Sequence, residues 1–493
     1  MARDKSTDAF LPKGAGSLKG SVVRAVGWAA ATRFLAQLIN WGMTLATVHF
    51  LRPELYGLAA ITTTIAAFIS QAGSSGIMDV VVQRSSLAET DLRNIFGLVL
   101  VINAVCLVLI CGVSYPAAWF YGEPQLMILL VVVSLELIPI SFRAVPRALL
   151  DRRLDLKSVS RVDAVARIVG GLFVFLLAWA GAGIWSLIAG PILVATLQAI
   201  GYGVAARYFQ LPRFSFAGLA QIRHFGGIRM LEQFLWNIYI SADVFIIGRV
   251  LGADLVGIYY VSRNLAALPV EKFSVTVRPV ALPAFSLVQH DRSLALSHLR
   301  KAARLLAFLS FPVLFGIAAV SPQVVALALG PKWSAAATPI AILAVAMAPR
   351  PVGLIIPSFL MGMGEFAASL RNTIFNTVLF VVAFLIGSHW GLIGVCTAWL
   401  VAYPVQLLSA ARRAALVSGT STGHLLSPLL APLVGSLIML AAVRSVDSMM
   451  DGRLQASTEL PVLVAVGIIV YGAYTLAFMR SVALELFGLA RPS

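Results

Sequence analysis

The chain has 493 residues, of which 59% are hydrophobic and 12% charged, and its mean hydropathy is +0.91. A soluble domain is about 45–50% apolar and about 25% charged, so a chain of this composition has too few polar groups to face water and reads as an integral membrane protein. Its net charge of +16, from 37 Lys and Arg against 21 Asp and Glu, would suggest nucleic acid in a soluble protein; here topology comes first, and no nucleic-acid partner is expected.

Apolar stretches of about 20 residues, the length that crosses about 30 Å of hydrocarbon as a helix, follow one another closely. They are residues 26–50, 57–80, 95–120, 126–147, 160–181, 184–206, 228–250, 255–281, 303–320, 337–361, 369–388, 391–411, 425–444 and 460–480, fourteen in all. The polar N-terminal stretch carries no small-residue cleavage site behind a short apolar core, so no cleavable signal peptide is expected. With the N-terminus in the cytoplasm, one side collects a large majority of the cations, including Arg143, Arg147, Arg152, Arg153, Lys157, Arg161 and Arg167. The other side holds Arg52, Arg249, Lys332, Arg444 and Arg453. That asymmetry follows the positive-inside rule and places both termini in the cytoplasm.

A repeat appears at an offset of 200. Leu51-Arg-Pro-Glu-Leu-Tyr-Gly57 follows the first segment and Leu251-Gly-Ala-Asp-Leu-Val-Gly257 follows the seventh. A weaker echo pairs Gly183-Ile-Trp-Ser, entering the sixth segment, with Gly394-Val-Cys-Thr, entering the twelfth. The expected architecture is all-α, with about fourteen transmembrane helices arranged as two six-helix lobes with pseudo-twofold symmetry plus two extra C-terminal helices. The divisions are a cytoplasmic tail over 1–20, an N-lobe over 21–207, a cytoplasmic inter-lobe loop over 208–227, a C-lobe over 228–415, and the added helices and tail over 416–493. Both lobes enter from the same side, so the repeat axis lies along the membrane normal, as in transporters that hold substrate between lobes near the midplane.

Ionisable groups inside hydrocarbon are costly and mark cavities or partners. The first segment carries Arg33, Gln37, Asn40, Thr44 and Thr47 on one stripe: either a water-accessible face, or helix–helix hydrogen bonding with Arg33 snorkelling to the interface. The fourth has Glu136, with Arg143 and Arg147 continuing the same face. In the seventh, Glu232, Trp236, Tyr239 and Asp243 share a narrow arc, suited to sugar or ion contact; the alternative is interhelical packing, with Glu232 paired to Arg229. The eighth carries Arg263, Glu271 and Arg278 on one side, and Pro269 between them is expected to bend it. In the tenth, Ala348-Pro-Arg-Pro351 breaks the helical ladder at mid-depth, where irregular backbone is tolerated only at a cavity or buried in protein. Arg350 is therefore the strongest single candidate.

Buried arginines in both halves suit an anionic substrate, since a guanidinium offers paired donors and a fixed charge to phosphate. The embedded acids are candidates for carrying H+ or Na+. Cys106, Cys111 and Cys396 lie in apolar runs and imply neither disulfide framework nor metal cluster. The histidines sit at loop or helix ends, and Asp151-Arg-Arg153 resembles solvated or headgroup-facing charge. With no phosphate-binding Gly-Lys-Ser/Thr loop, no catalytic residue, metal or cofactor is expected.

Seven motifs carry a resemblance: Leu51–Gly57, Arg147-Ala-Leu-Leu-Asp-Arg-Arg-Leu154, Asp243-Val-Phe-Ile-Ile-Gly-Arg-Val-Leu-Gly252, Gly257-Ile-Tyr-Tyr, Leu282-Pro-Ala-Phe285, Gly330-Pro-Lys-Trp333 and Trp390-Gly-Leu-Ile-Gly394. In order and spacing over residues 20–415 the chain resembles the bacterial polysaccharide-unit (O-antigen and exopolysaccharide) flippases of the multidrug/oligosaccharidyl-lipid/polysaccharide exporter superfamily. The resemblance implies a V-shaped two-lobe transporter in the bacterial inner membrane. It would move undecaprenyl-pyrophosphate-linked oligosaccharide from the cytoplasmic to the periplasmic leaflet through a cationic cavity, by alternating access. Partners implied are that lipid-linked oligosaccharide, membrane lipids, and the polysaccharide polymerase and chain-length machinery. The resemblance carries over no site motif; by depth and facing, the candidate substrate set is Arg33, Arg143, Arg263, Arg278 and Arg350. Two rivals stand beside this reading. A multidrug or cation antiporter of the same fold is permitted by Glu232 and Asp243 and opposed by the arginines. A membrane polysaccharide polymerase or glycosyltransferase would need a larger extramembrane catalytic loop than any segment here provides.

Overall fold

A bilayer leaves no water to satisfy backbone groups, so a spanning chain must close its hydrogen bonds within each segment. The computed structural model describes residues 42, 43, 45–74, 89–215, 220–450 and 455–489, and every element of regular structure among them is helical. Eleven helical stretches among the described residues are long and apolar enough to cross a membrane, and the chain is a multi-pass membrane protein. They coincide with eleven of the fourteen expected segments. Of the other three, 26–50 lies mostly outside the described residues, while 57–80 and 255–281 fall on helices Pro53–Ser74 and Ala253–Leu287.

The chain divides into two compact units, Met1–Phe234 and Leu235–Ser493. The N-terminal unit is built from α1 (Pro53–Ser74), α2 (Glu89–Tyr121), α3 (Gln125–Ser134), α4 (Leu137–Arg152), α5 (Leu156–Trp179) and α6 (Ile184–Ala206). Helix α7 (Ala220–Leu251) leads into the C-terminal unit. That unit adds α8 (Ala253–Leu287), α9 (Arg292–Ala319), α10 (Ala337–Met347), α11 (Arg350–Gly362), α12 (Phe366–Ser388), α13 (Gly391–Ser418), α14 (Leu430–Met450), α15 (Ala456–Phe478) and α16 (Arg480–Leu489).

The 200-residue repeat has the same local structure at both sites. Helix α1 starts at Pro53 and α8 at Ala253, with Glu54 and Asp254 in their first turns, where a carboxylate meets the positive end of the helix dipole. The weaker echo is corrected. Gly183 caps α6, but Gly394 lies inside α13, which begins at Gly391. The left-handed φ of +58° at Gly183 is matched by +67° at Gly391, so the equivalent turn is three residues earlier than the motif suggested.

Two helices break at membrane depth. Proline lacks an N–H and its ring collides with the carbonyl four residues back. Pro139 therefore disturbs the ladder at Leu135, and α3 gives way to α4 across Leu135 and Glu136. Pro349 and Pro351 likewise end α10 and start α11 at Arg350, as expected, and Ser310 Oγ donates to the buried Ala348 carbonyl at the break, at 3.4 Å. Pro269, by contrast, lies within α8, which is helical throughout Ala253–Leu287.

In the C-terminal unit the stretch Pro331–Gly362 is 61% buried in protein over its most apolar part, against 17% for Ala456–Phe478. The α10–α11 pair is thus the unit's centre, and α15 presents most of its surface to lipid.

Candidate functional site

In the N-terminal unit, the α3–α4 break puts Glu136 at the edge of a cavity of about 310 Å³. Arg143 reaches the same cavity from about two turns further along α4, Arg167 from α5, and Thr47 and Tyr56 close another side. The floor is where α5 and α6 meet through glycine. A Cβ on Gly170 would stand 2.2 Å from Val194 Cγ2, and one on Gly190 would stand 2.2 Å from Val174 Cγ2. Only hydrogen in place of a side chain admits that approach.

Behind the cavity a hydrogen-bond relay ties α4, α5 and α6. Arg143 Nη1 donates to Gln198 Oε1. The Gln198 amide then donates to Asp163 Oδ1 at 2.9 Å, and the Tyr202 hydroxyl donates to the same oxygen. Arg147 Nη1 reaches Tyr202 Oη at 2.8 Å and Asp163 Oδ2 at 3.4 Å, while its Nε meets Asp151 Oδ2 at 2.9 Å. With its amide nitrogen on Asp163, Gln198 is forced to turn its oxygen toward Arg143. Glu136 takes no part in this relay and has no hydrogen-bond or ion-pair partner among the described residues, and the same holds for Arg167.

The C-terminal unit arranges its charges differently. Asp243 is fully buried and accepts from Arg263 Nη1, from the Tyr259 hydroxyl at 2.5 Å and from the Val244 amide at 2.8 Å. Trp399 Nε1 in turn donates to the Tyr259 oxygen at 2.6 Å. Arg263 also donates to the Ile240 carbonyl at 3.3 Å and lies 5.9 Å from the Tyr259 ring centre and 6.0 Å from that of Tyr260, a cation–π distance. Around this pair Phe380, Phe384, Trp399 and Tyr403 pack with ring centroids 4.9–5.7 Å apart, Trp399 and Tyr403 stacked and the others tilted or edge-on, and buried Tyr239 joins edge-on to Phe380 at 4.9 Å. Half-buried Arg350, freed by the α10–α11 break, has Tyr403, Tyr239, Arg263 and Glu271 as electrostatic neighbours.

The expected site residues therefore separate into two groups. Glu136 and Arg143 meet in the N-terminal unit; Trp236, Tyr239, Asp243, Arg263 and Arg350 come together in the C-terminal unit, Trp236 through its ring 5.1 Å from Tyr239. The Glu271 side chain is exposed on α8. Arg33 lies outside the described residues, as do the side chains of Glu232 and Arg278, although α7 and α8 carry both positions. One reading is corrected: Arg167, counted only as a topological charge, lines the cavity. Asp151, expected to be solvated, keeps 35% of its side chain exposed while pairing with Arg147. Sequence reasoning missed Asp163, an acid within an apolar segment that carries the same signal as Glu136. It also missed Gln198, Tyr202, Tyr259 and Trp399, uncharged residues whose roles follow only from their partners.

A family model described as "Polysaccharide biosynthesis protein" matches residues 48–338. The chain is 25% identical to the lipopolysaccharide biosynthesis protein WzxC of Escherichia coli K12 over 402 residues, 80% of each chain. It is 25% identical to the succinoglycan biosynthesis transport protein ExoT of Rhizobium meliloti over 482 residues, 96% of each. Its fold is similar to that of the lipid II flippase MurJ in an inward closed conformation, with TM-score 0.75 and 14% identity over 92% of this chain and 99% of that one. It is less similar to an inward-facing multidrug resistance transporter of the MATE family, with TM-score 0.59 and 17% identity over 80% of this chain and 99% of that one.

Proposed function

The chain belongs to the polysaccharide biosynthesis protein family, and from that premise we propose that it flips lipid-linked oligosaccharide repeat units from the cytoplasmic to the periplasmic leaflet for exopolysaccharide or lipopolysaccharide synthesis. The observation that carries this reading is similarity along nearly the whole length to a succinoglycan biosynthesis transport protein, in a chain whose membrane-depth charges include Arg143, Arg263 and Arg350. Guanidinium groups are matched to the pyrophosphate of an undecaprenyl-pyrophosphate carrier, and alternating access between two lobes would move the glycan head while the lipid stays in the bilayer.

The finer architecture belongs to the same proposal. It comprises fourteen transmembrane helices in two six-helix lobes with two added helices, in the inner membrane with both termini cytoplasmic. The chain acts as a carrier and not as an enzyme, in functional sequence with a polymerase and chain-length machinery, and Glu136, Glu232, Asp243 and Glu271 are the acids available for coupling to H+ or Na+. The MATE-like component of the fold raises a cation antiporter as the second reading. Against it, Asp243 is already neutralised by Arg263, and Glu136 shares its cavity with Arg143 and Arg167.

The deciding experiment is a strain lacking this chain, assayed for the leaflet that holds its lipid-linked repeat units. Accumulation on the cytoplasmic leaflet is expected; a normal distribution would overturn the proposal. In the same background Arg350→Ala is expected to impair export while inserting normally, and Arg263→Ala to impair it together with a loss of stability, because it leaves Asp243 buried without its cation. Full export by the double variant would remove the cationic-site assignment.

A further inference from the structure

The two charge clusters are not equally available to a ligand. Asp243 and Arg263 satisfy each other, whereas in the N-terminal unit Glu136 and Arg167 line an open cavity with no hydrogen-bond or ion-pair partner among the described residues, Arg143 being the electrostatic neighbour of Glu136. Arg143 is held there by a single side-chain bond to Gln198, which leaves further guanidinium donors for a ligand. At about 310 Å³ the cavity lies at the small end of ligand pockets, which run roughly 300–1,000 Å³. That space is on the scale of a single sugar ring.

We propose that this cavity binds a single sugar ring bearing a carboxylate, as a recognition subsite for one acidic sugar of the carried glycan. The lining supplies each element such a ring requires. Glu136 accepts from ring hydroxyls, an interaction no anionic phosphate group would offer it. Arg143 and Arg167 present fork-shaped donors that match a carboxylate, and two guanidiniums against one carboxylate leave the cavity net cationic. Tyr56 gives an amphipathic ring wall, and Gly170 and Gly190 complete the lining. Asp163 is a positioning residue, because it fixes the Gln198 amide and through it the direction of Arg143. The inference rests on the glycan-carrier reading and narrows it to glycans that contain an acidic sugar.

The test uses the full chain in lipid nanodiscs, with methyl glucuronide and methyl glucoside as probes in saturation-transfer NMR. The glucuronide is expected to bind more tightly. Arg143→Ala and Arg167→Ala should each reduce that preference by about tenfold, the size of one charge-assisted hydrogen bond, and Glu136→Gln should weaken both sugars. Arg167 is exposed and unpartnered among the described residues, so its variant folds even if loss of the Arg143–Gln198 bond does not leave Arg143→Ala intact. Lys301→Ala, in the other unit, should change nothing. Equal binding of the two sugars, binding of neither, or a preference unmoved in both arginine variants would overturn the proposal. The leaflet assay in the null strain reads flipping independently: cytoplasmic accumulation with no sugar preference removes this subsite alone, whereas normal distribution with a preserved preference removes the flipping reading and leaves the pocket.

Discussion

The two units bury acids in contrasting ways. Asp243 is enclosed completely and takes three donors, one of them cationic, in an aromatic shell. Glu136 sits at a helix break beside a cavity, with Arg143 as its electrostatic neighbour and no hydrogen bond or ion pair among the described residues. In sequence the two look alike, each an acid deep in an apolar segment. An ionised carboxylate in a low dielectric has to be paired or to touch water; the C-terminal unit takes the first course and the N-terminal unit the second. A buried charge that is already matched holds helices together, and one left open is where a ligand can be exchanged.

The largest effect should come from breaking the closed pair. Removing one partner of a buried ion pair costs about 3–5 kcal/mol, while replacing both with apolar groups of similar volume is close to neutral. Asp243→Ala is therefore expected to lower the thermal unfolding temperature of the purified protein sharply. The Asp243→Leu/Arg263→Met double variant should recover most of the loss. Additive losses in that cycle would show that Asp243 and Arg263 do not act as a pair.

The relay in the N-terminal unit predicts a smaller loss. Asp163 accepts from Gln198, Tyr202 and Arg147 but is 19% exposed at its side chain, and Arg147 is 34% exposed, so water replaces part of what is removed. Asp163→Ala should destabilise by roughly 1–3 kcal/mol in the same unfolding assay, less than Asp243→Ala. A loss equal to or larger than that of Asp243→Ala would reverse the ranking of the two units. Of the same order is the effect at the cavity floor. Gly190→Ala drives a methyl against Val174, and overpacking of this kind costs roughly 1–3 kcal/mol; Val174→Ala in the same chain should restore most of it. No rescue would mean that the α5–α6 approach is not limited by that contact.

Much of the scaffold was legible before any coordinates. Unbroken apolar runs have one solution in a bilayer, so helix positions followed from hydropathy alone, and Pro349 and Pro351 announced the break at Arg350. Pro139 carried the same signal and was passed over, which hid the fact that Glu136 stands at a helix junction. The site was legible as a set of residues and not as a partition. Nothing in the spacing of Asp243 and Arg263, one on α7 and the other on α8, distinguishes a sealed pair from two open charges. Gln198, Tyr202 and Trp399 act through amide, phenol and indole groups whose value depends wholly on what faces them, and a pattern search for charge has no purchase on such residues.

The smallest expected effect separates an exposed ion cluster from both buried ones. Glu485 on α16 meets Lys301 and Arg304 on α9, and the hydrogen bond from Lys301, helped by the charge of Arg304, holds its carboxyl below the usual carboxylate range. Because the folded value is lowered, the stabilisation is present above the unfolded pKa, about 4.3 for glutamate, and is lost as pH falls through the lowered folded value. Ion pairs with this much solvent contact contribute little and are screened by salt. Glu485→Gln should therefore flatten the acid limb of the stability–pH curve slightly at low ionic strength and leave it unchanged in high salt, whereas Asp243→Asn should lose stability at neutral pH in either. An acid limb unaffected by Glu485→Gln at low salt would show that α16 docks on α9 without its charges, and a salt-sensitive Asp243→Asn would place the inner pair within reach of water.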